Sequence, residues 1–567
     1  MILGIHDGHD SGAALINKGR IVAAVNEERF TKEKNDTGFP FNSIEYLLSD
    51  SPEIDAIAIG WVGGYAFFGR VLPIMDERRR LLWRKKLKKP SRFSMQLTNL
   101  AFRAVQNQRP QSLWRSIGNL AKFPLKTRLK RIGLDRKKIF FVDHHMAHAA
   151  SAYYTSGFDP CLVITMDGSG DGLCGSICVG ENGELKRIKK FAADSSLGLL
   201  YGAVTLALDM KYSEDEGKVM SLAPYSYPTE IKELKHIVKI TNGEPKSNFP
   251  IKYELLLSEW IKDKILWRYN REALAFGIQK HLEDCFLEIV KSAIEETGIH
   301  SIAVAGGLFS NVILNMKIRL LPEVKNFYVF PHMSDGGLAI GASLYIDNIL
   351  NGHNFHKQLN DVYFGPSYSN DEILNELKNY NTEIKFEERT DIPEFVGELI
   401  PKQKIILWFQ GRVELGPRAL GNRSILAPAE SIECKNELNL IIKRRPYFQP
   451  FCPSILEEDA DKILEDYDVP SRFMTIAYKT KENMIDQVKA VVHIDDTTRP
   501  QILGNENEKY RKVIETVKKE TGLGIVLNTS FNKHGFPMVG TPEHALWTFL
   551  NSNAKYLAIG DYFVEKK

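Results

Sequence analysis

Leu162-Val163-Ile164-Thr165-Met166-Asp167-Gly168 is an apolar run that stops on an acid and a glycine. Gly175-Ser176-Ile177-Cys178-Val179 follows, with Glu181-Asn182-Gly183 as the next turn. Short apolar runs bounded by turn residues predict the strands of a hairpin. The start of the chain repeats the arrangement: Ile2-Leu3-Gly4-Ile5, then Ala13-Ala14-Leu15-Ile16, a Lys18-Gly19 turn, and Ile21-Val22-Ala23-Ala24-Val25. Two such units, about 160 residues apart, predict an internal duplication.

That is the sequence look of the actin/sugar-kinase/Hsp70 (ASKHA) architecture, in which two α/β halves face each other across a nucleotide or substrate cleft. A third signal agrees. Ser301-Ile302-Ala303-Val304-Ala305 runs into Gly306-Gly307, and Phe309-Ser310-Asn311-Val312 begins a helix. Glycines let backbone approach a ligand, and a helix N-terminus offers unpaired N–H groups to phosphate. Gly306, Gly307, Ser310 and Asn311 are therefore candidate contacts for a nucleotide or acyl ligand. The pattern loosens over residues 348–362, which reads as a linker. It divides the chain into 1–355 and a separate α/β domain over 356–567. Strands are expected there at 405–409 and 524–527, and a helix at 429–445.

The chain has 567 residues, 26% charged and 43% apolar, with a formal net charge of +3. At about 150 residues per domain that predicts two to four domains, long enough to bury a core without disulfides or metal staples. The composition excludes wholesale disorder, collagen-like repeats and coiled coil. No window of 18 uncharged apolar residues predicts a membrane-spanning helix. The N-terminus lacks the basic and apolar regions of a secretory signal, so none is expected. Six cysteines are too sparse for a disulfide framework, which points to a cytoplasmic protein. Cys174 and Cys178, on one face of a strand, read as packed residues rather than half a zinc site.

The small net charge hides an asymmetry. Residues 70–138 hold 21 Lys and Arg against three acids, a surplus of 18, so the rest of the chain carries a deficit of 15. Trp83, Phe93, Phe102 and Trp114 are interleaved. Such a stretch suits nucleic acid or an anionic ligand. With no nucleic-acid motif beside it, a helical insertion with a solvated basic face is the preferred reading.

Two constellations carry chemistry. In Asp143-His144-His145-Met146-Ala147-His148-Ala149-Ala150, helical spacing places His144 and His148 on one face, four apart, with His145 off it. Two imidazoles so placed suit one metal ion, and Asp167 and Asp335 are the carboxylates that could complete it. The set fits divalent iron, zinc or manganese without choosing among them. The second constellation is Gly411-Arg412-Val413-Glu414-Leu415-Gly416-Pro417-Arg418-Ala419-Leu420-Gly421-Asn422-Arg423-Ser424. Arginine forks bind phosphate or carboxylate bidentately, and glycines bring backbone N–H groups to the same oxygens. Lys443-Arg444-Arg445, Arg499-Pro500-Gln501 and Asn528-Thr529-Ser530-Phe531-Asn532 follow. Together they suit a triphosphate and a second phosphorylated substrate. No Walker A motif is present.

These residues resemble the NodU/TobZ-type O-carbamoyltransferases. The matching pieces begin with His9-Asp10-Ser11, Glu27-Glu28-Arg29-Phe30-Thr31, His144–Ala149, Glu216-Gly217-Lys218-Val219-Met220-Ser221-Leu222-Ala223-Pro224-Tyr225 and Gly306-Gly307. Gly416–Leu426, Arg499-Pro500-Gln501 and Leu527–Asn532 complete them, in the family's order from one end to the other. The resemblance implies an ASKHA module fused to a C-terminal YrdC-like α/β module. It implies Fe(II) or another divalent metal on His144, His148, Asp335 and Asp167, and Mg2+ with ATP. It further implies ATP and carbamoyl phosphate on Arg418, Arg423, Lys443, Arg445, Arg499, Asn528 and Ser530, and carbamoyl adenylate at Gly306, Gly307, Ser310 and Asn311. Family members usually read Phe-Arg-Pro-Phe where this chain has Phe448-Gln449-Pro450-Phe451, so Arg444 or Arg445 is expected to stand in. The implied reaction adenylates carbamoyl phosphate and passes the carbamoyl group to a hydroxyl of a small-molecule acceptor such as a sugar, aminoglycoside or polyketide. His9 or Asp10 is the candidate general base. A tRNA-modifying threonylcarbamoyl enzyme and a non-catalytic ASKHA scaffold are the alternatives. No membrane or nucleic-acid partner is expected, and a homodimer is left open.

Overall fold

β1 (Ile2–His6), β2 (Gly12–Asn17), β3 (Arg20–Asn26), β4 (Ala56–Ile59) and β5 (Lys138–Phe141) form one sheet in the order β3-β2-β1-β4-β5. β1 and β2 pair antiparallel from Ile2↔Ile16 to His6↔Gly12, while β4 and β5 add in parallel. Lys18 and Gly19, both at positive φ, make the β2–β3 turn. β6 (Cys161–Gly170), β7 (Leu173–Glu181) and β8 (Glu184–Ala192) form the next meander. After a small ribbon, β9 (Lys239–Thr241) and β10 (Glu244–Lys246), come β11 (Ser301–Ala305) and β12 (Asn326–Val329). The second sheet runs β12-β11-β6-β7-β8, with β11 and β12 parallel to β6. Each sheet is thus an antiparallel meander extended beyond its first strand by two parallel strands. This is the duplicated ASKHA-type α/β fold.

The computed structural model describes residues 1–62, 70–71, 73–106, 119–120, 122–352, 357–443 and 445–567. Arg444, Trp114 and part of the predicted linker lie outside the described residues. The chain forms two compact units: Met1–Ala24 with Thr37–Leu359, and Val25–Asp36 with Asn360–Lys567. The expected linker over 348–362 is partly helical, because the helix Leu338–Asn351 runs through Asn348 and stops at Gly352, φ 65°. Val25–Asp36 groups with the second unit, which a boundary drawn along the sequence does not foresee. There Arg29 Nη2 donates to Gly416 O at 2.7 Å, and its own carbonyl packs where a Cβ on Gly540 would stand.

In the first unit the helix His144–Ser156 packs on Leu338–Asn351 so closely that a Cβ on Gly341 would stand 1.8 Å from Ala147 O. The small alanines of 147–152 permit that approach, which delivers His144 and His148 beside the segment carrying Asp335.

The second unit is built on one sheet, whose strands are β13 (Ile384–Glu388), β14 (Ile406–Phe409), β15 (Arg423–Ala427) and β16 (Cys452–Leu456). A ribbon, β17 (Tyr478–Lys479) and β18 (Thr497–Thr498), precedes β19 (Gln501–Leu503), β20 (Ile525–Ser530), β21 (Tyr556–Ile559) and β22 (Tyr562–Lys566). The main sheet runs β13-β22-β21-β14-β15-β20-β16-β19 over a core that includes Trp408, Leu426, Tyr510 and Val526. The helix expected over 429–445 is split. Ser431 caps an α-helical turn, Ile432–Glu437, and π-helical Leu438–Lys443 follows. Such π turns re-aim side chains, here Lys443.

The basic stretch is not simply a solvated face. Its helices Pro73–Trp83 and Arg92–Gln106 lie against acidic neighbours. Arg84 pairs with Glu214 at 2.8 Å, Lys85 with Asp209 at 3.4 Å, Arg92 with Asp263 at 2.8 Å and Lys89 with Glu259. Trp83 Nε1 donates to Glu254 Oε1 at 2.8 Å, and Met95 is buried among Tyr212, Tyr253 and Leu255. Arg70 makes a buried fork to Asp7, both bonds 2.7 Å. Part of the local surplus therefore meets acids that are distant in sequence, which a linear count cannot reveal. All six cysteines are free thiols. Among the described residues no helix is long and apolar enough to cross a membrane.

Candidate metal centre and anion pocket

Asp143 caps the His144–Ser156 helix by accepting from Met146 N at 3.0 Å. The His144 N–H donates to Asp171 Oδ2 at 3.0 Å. One turn apart, His144 and His148 aim their Nε2 atoms at the same place. They lie 3.3 and 3.2 Å from Asp167 Oδ2, and 3.7 and 3.6 Å from Asp335 Oδ1. All four ligand atoms fall within 4.8 Å of one another. Asp167 comes from β6 and Asp335 from the turn before Leu338. Ligands about 2.1 Å from a common ion sit about 3.0–3.4 Å apart, so two imidazoles and two carboxylates at these spacings fit a divalent cation. Burial alone would lower His144, but Asp335 and then Asp167 outweigh it and raise it to about 9. Asp167 is held well below the usual carboxylate range against its burial by the bonds from both histidines. His145 faces away, as its spacing predicts. Its ring bonds Thr165 Oγ1 and Leu173 O, both at 3.1 Å, and burial, then the two neighbouring histidines, push it down to about 3.

Three contributors escaped the sequence reading. Asp171 holds the helix start. Gly170 lies under the His144 ring, where a Cβ would stand 2.2 Å from ring atoms. His6 is fully buried, with Nε2 2.9 Å from His9 O. Burial lowers it to about 4, and it senses Asp335 and His144. None of the three stands in a spacing that signals chemistry; only packing brings them in.

His9 and Asp10 sit on the β1–β2 turn, Asp10 at φ 58°, with His9 Nδ1 3.4 Å from Asp10 Oδ2. Despite burial, His9 and then His332 hold Asp10 down to about 2. A carboxylate that low is a poor proton acceptor. Gly306 has φ 111°, and a Cβ there would stand 2.1 Å from Met166 O, so only glycine fits. Gly307 borders the Asp167 carboxylate and Ser310 is exposed. Asn311 does not fit the expected contact role. Its amide is committed to capping Leu314 N at 3.0 Å and to Gln279 Oε1 at 2.8 Å.

The second unit gathers cations. Lys443 Nζ donates to Ser530 Oγ at 3.3 Å and to Asn532 O at 3.1 Å. Arg445 stacks its guanidinium 3.8 Å from the Phe451 ring. Arg499 is buried and is repelled by Arg418; Arg445 in turn is repelled by Arg499. Burial and then Arg445 hold Lys443 well below the usual lysine range, and burial lowers Arg445 to about 10. Among the described residues none of Arg418, Lys443, Arg445 and Arg499 has a carboxylate within 4.0 Å. Arg418 Nε, Arg445 Nη2 and Arg499 Nε are buried without a hydrogen-bond partner. Unpaired buried cations are costly, and a bound polyanion would relieve that cost. Asn528 supports the pocket wall, donating to Ala419 O and Ser454 Oγ at 3.0 Å. Arg423 does not join the pocket. It lies in the core on Phe409 and donates to the carbonyls of Gln410, Gly411 and Asn422. Its place on β15 turns it inward, which the Gly-Pro-Arg run alone did not reveal.

The chain thus joins an α/β body that carries a His/Asp cluster to a second α/β body that carries a cluster of cations. The family model described as carbamoyltransferase N-terminus matches residues 1–344 and the carbamoyltransferase C-terminus model matches 397–566; the chain belongs to the carbamoyltransferase family. Nodulation protein NolNO of Sinorhizobium fredii is 33% identical over 571 residues, covering 99% of this chain and 79% of its own. An uncharacterized protein of Methanocaldococcus jannaschii is 34% identical, with all of both chains covered. Nodulation protein U of Rhizobium fredii is 34% identical over 42% of this chain and 39% of its own. Among solved structures, full-length HypF in its phosphate- and nucleotide-bound form covers 62% of this chain and 47% of its own, at 14% identity and a TM-score of 0.35. Nothing about this chain rests on that last likeness. The family assignment leaves the scaffold reading without support.

Proposed function

We propose that this protein is an ATP-dependent O-carbamoyltransferase that joins carbamoyl phosphate and ATP into carbamoyl adenylate and esterifies a hydroxyl of a small-molecule acceptor. The observation that carries the reading is the cluster of buried Lys443 and Arg499 with half-buried Arg418 and Arg445, none of which has a carboxylate within 4.0 Å among the described residues. A pocket charged in that way suits two phosphorylated substrates at once. Water cleaves carbamoyl phosphate to carbamate and inorganic phosphate. A carbamate oxygen then attacks the α-phosphorus of ATP, forming carbamoyl adenylate as pyrophosphate leaves. Carbamate itself is a poor electrophile, and adenylation gives its carbonyl carbon a good leaving group. In the second unit Arg418 and Arg499 clamp phosphate oxygens, and Lys443, fixed by Ser530 and Asn532, neutralises charge as pyrophosphate leaves.

In the first unit His144, His148, Asp167 and Asp335 would hold a divalent metal, Fe(II) by the resemblance. Bound there, it would supply Lewis acidity toward a carbonyl or phosphoryl oxygen. Gly306 and Gly307 let the adenylate approach the backbone. His9 takes the acceptor's hydroxyl proton, with Asp10 as its orienting carboxylate. AMP is then the leaving group. The test is incubation of the purified protein with ATP and carbamoyl phosphate, followed by pyrophosphate assay and a mass-spectrometric screen of hydroxylated metabolites. Pyrophosphate release that needs carbamoyl phosphate supports the activation step. Release independent of it, or none, overturns it.

A further inference from the structure

Two arginine-bearing segments build the anion pocket. One runs from Arg445 through Phe451 into β16, the other from Val491 through β18 to Arg499. A single imidazole ties them together. His493, only 6% exposed, places Nε2 3.2 Å from the carbonyl oxygen of Phe448 and Nδ1 3.3 Å from Asp495 Oδ1. A carbonyl and an ionised carboxylate only accept, so both ring nitrogens donate when the two bonds are made. Asp495 is itself fixed. Its Oδ1 accepts from Thr497 Oγ1 at 2.6 Å and Thr497 N at 3.2 Å. Burial pushes the carboxyl up, but the bonds from His493 and Thr497 outweigh it and hold it ionised. Asp495 also attracts Arg499, and Cys452 sits by both arginines, coupled to each.

We propose that His493 is a positioning residue for the anion pocket: by tying the Phe448 carbonyl to the Asp495 turn it sets the separation of Arg445 and Arg499, and so the fit of the phosphate they clamp. It touches no substrate. The tether has work to do because half-buried Arg445 and buried Arg499 are like charges, and Arg499 repels Arg445. Arg445 is held on its own side by Asn439 Oδ1 at 2.8 Å and by the Phe451 ring. Nothing in those two contacts fixes it relative to Arg499; the Phe448–His493–Asp495 bridge does. The inference rests on the proposed activation site.

Two isosteric variants of the full-length protein separate tethering from bulk. His493→Gln retains a donor near the Nε2 position and can still reach Phe448 O. His493→Asn retains a donor only near the Nδ1 position, toward Asp495. Binding of inorganic pyrophosphate and of carbamoyl phosphate is measured by calorimetry, and pyrophosphate release from ATP gives KM and kcat. The Asn variant should weaken both ligands roughly tenfold and raise KM more than it lowers kcat, while the Gln variant stays within about threefold of wild type, as one lost charge-assisted bond predicts. Equal losses in the two variants indicate a merely structural role and overturn the proposal. Unchanged binding in the Asn variant overturns it as well. A wild-type protein that binds pyrophosphate but releases none from ATP and carbamoyl phosphate would sink the activation reading instead, and the binding comparison would still decide the tether.

Discussion

The His/Asp cluster of the first unit and the cationic pocket of the second are both buried and both built of charge, yet they are opposite in balance. In the cluster each imidazole faces a carboxylate, and Asp335 and then Asp167, outweighing burial, raise His144 to about 9. In the pocket the cations face one another, an aromatic ring and neutral oxygens, with Asp495 attracting Arg499 only from beyond ion-pair distance, and burial drives the pKa values down. A balanced site keeps its shape without a guest and asks for one small cation. An unbalanced one stays poised for anions, because only they remove the repulsion. The charge pattern around each site, more than its composition, says what it takes.

The widest test of that contrast is to remove a ligand from the balanced site. His148→Ala or Asp335→Ala should lower carbamoyl transfer on the order of 100-fold or more and lose the metal. Carbamoyl-phosphate-dependent pyrophosphate release should be retained. Metal analysis beside both assays checks it, and full transfer without metal would refute the metal assignment. Removing a cation from the unbalanced site should do the reverse. Arg499→Ala costs a charge-assisted contact of about 1.5–3 kcal/mol, roughly 10- to 150-fold in pyrophosphate release, and leaves the metal bound. An unchanged rate would place the phosphates elsewhere.

A subtler change sharpens the first half. Gly170→Ala puts a methyl against the His144 ring, whereas at Gly168 the nearest atom is 3.4 Å from the new Cβ. Metal affinity should fall roughly tenfold for Gly170→Ala and hold for Gly168→Ala, measured by titration of the stripped protein. The smallest effect belongs to the basic stretch. Neutralising Lys85, Lys89 and Arg92 removes exposed ion pairs worth about 0.2–1 kcal/mol each. Melting temperature should drop by a few degrees at low salt and less at high salt, with kinetic constants unchanged. A raised acceptor KM would restore the docking-surface reading of that stretch.

Much of this was legible beforehand. The meander pair, the Gly306-Gly307 turn and the His144/His148 spacing are local patterns, set by periods of two and 3.6 residues that any chain must obey. Arg423 and Asn311 show the limit. Each stands in a motif rich in ligand-binding residue types, and each is consumed by its own surroundings, Arg423 by three carbonyls and Asn311 by a helix start. A motif names residue types; it does not say which way a strand turns them.

The sequence by itself determined the duplication, the two α/β bodies, the pair of histidines on one helix face and the set of cations, because these depend on periodicity and residue chemistry. Tertiary structure alone decided that Asp167 and Asp335 converge on that pair and that Gly170 makes room for a ring. It alone decided that Val25–Asp36 belongs with the second unit, and that a surplus of positive charge at 70–138 meets acids at 209–263. Those outcomes depend on which distant segments pack together, and hydrogen bonds, ion pairs and close contacts act over a few ångströms of space, not along the chain.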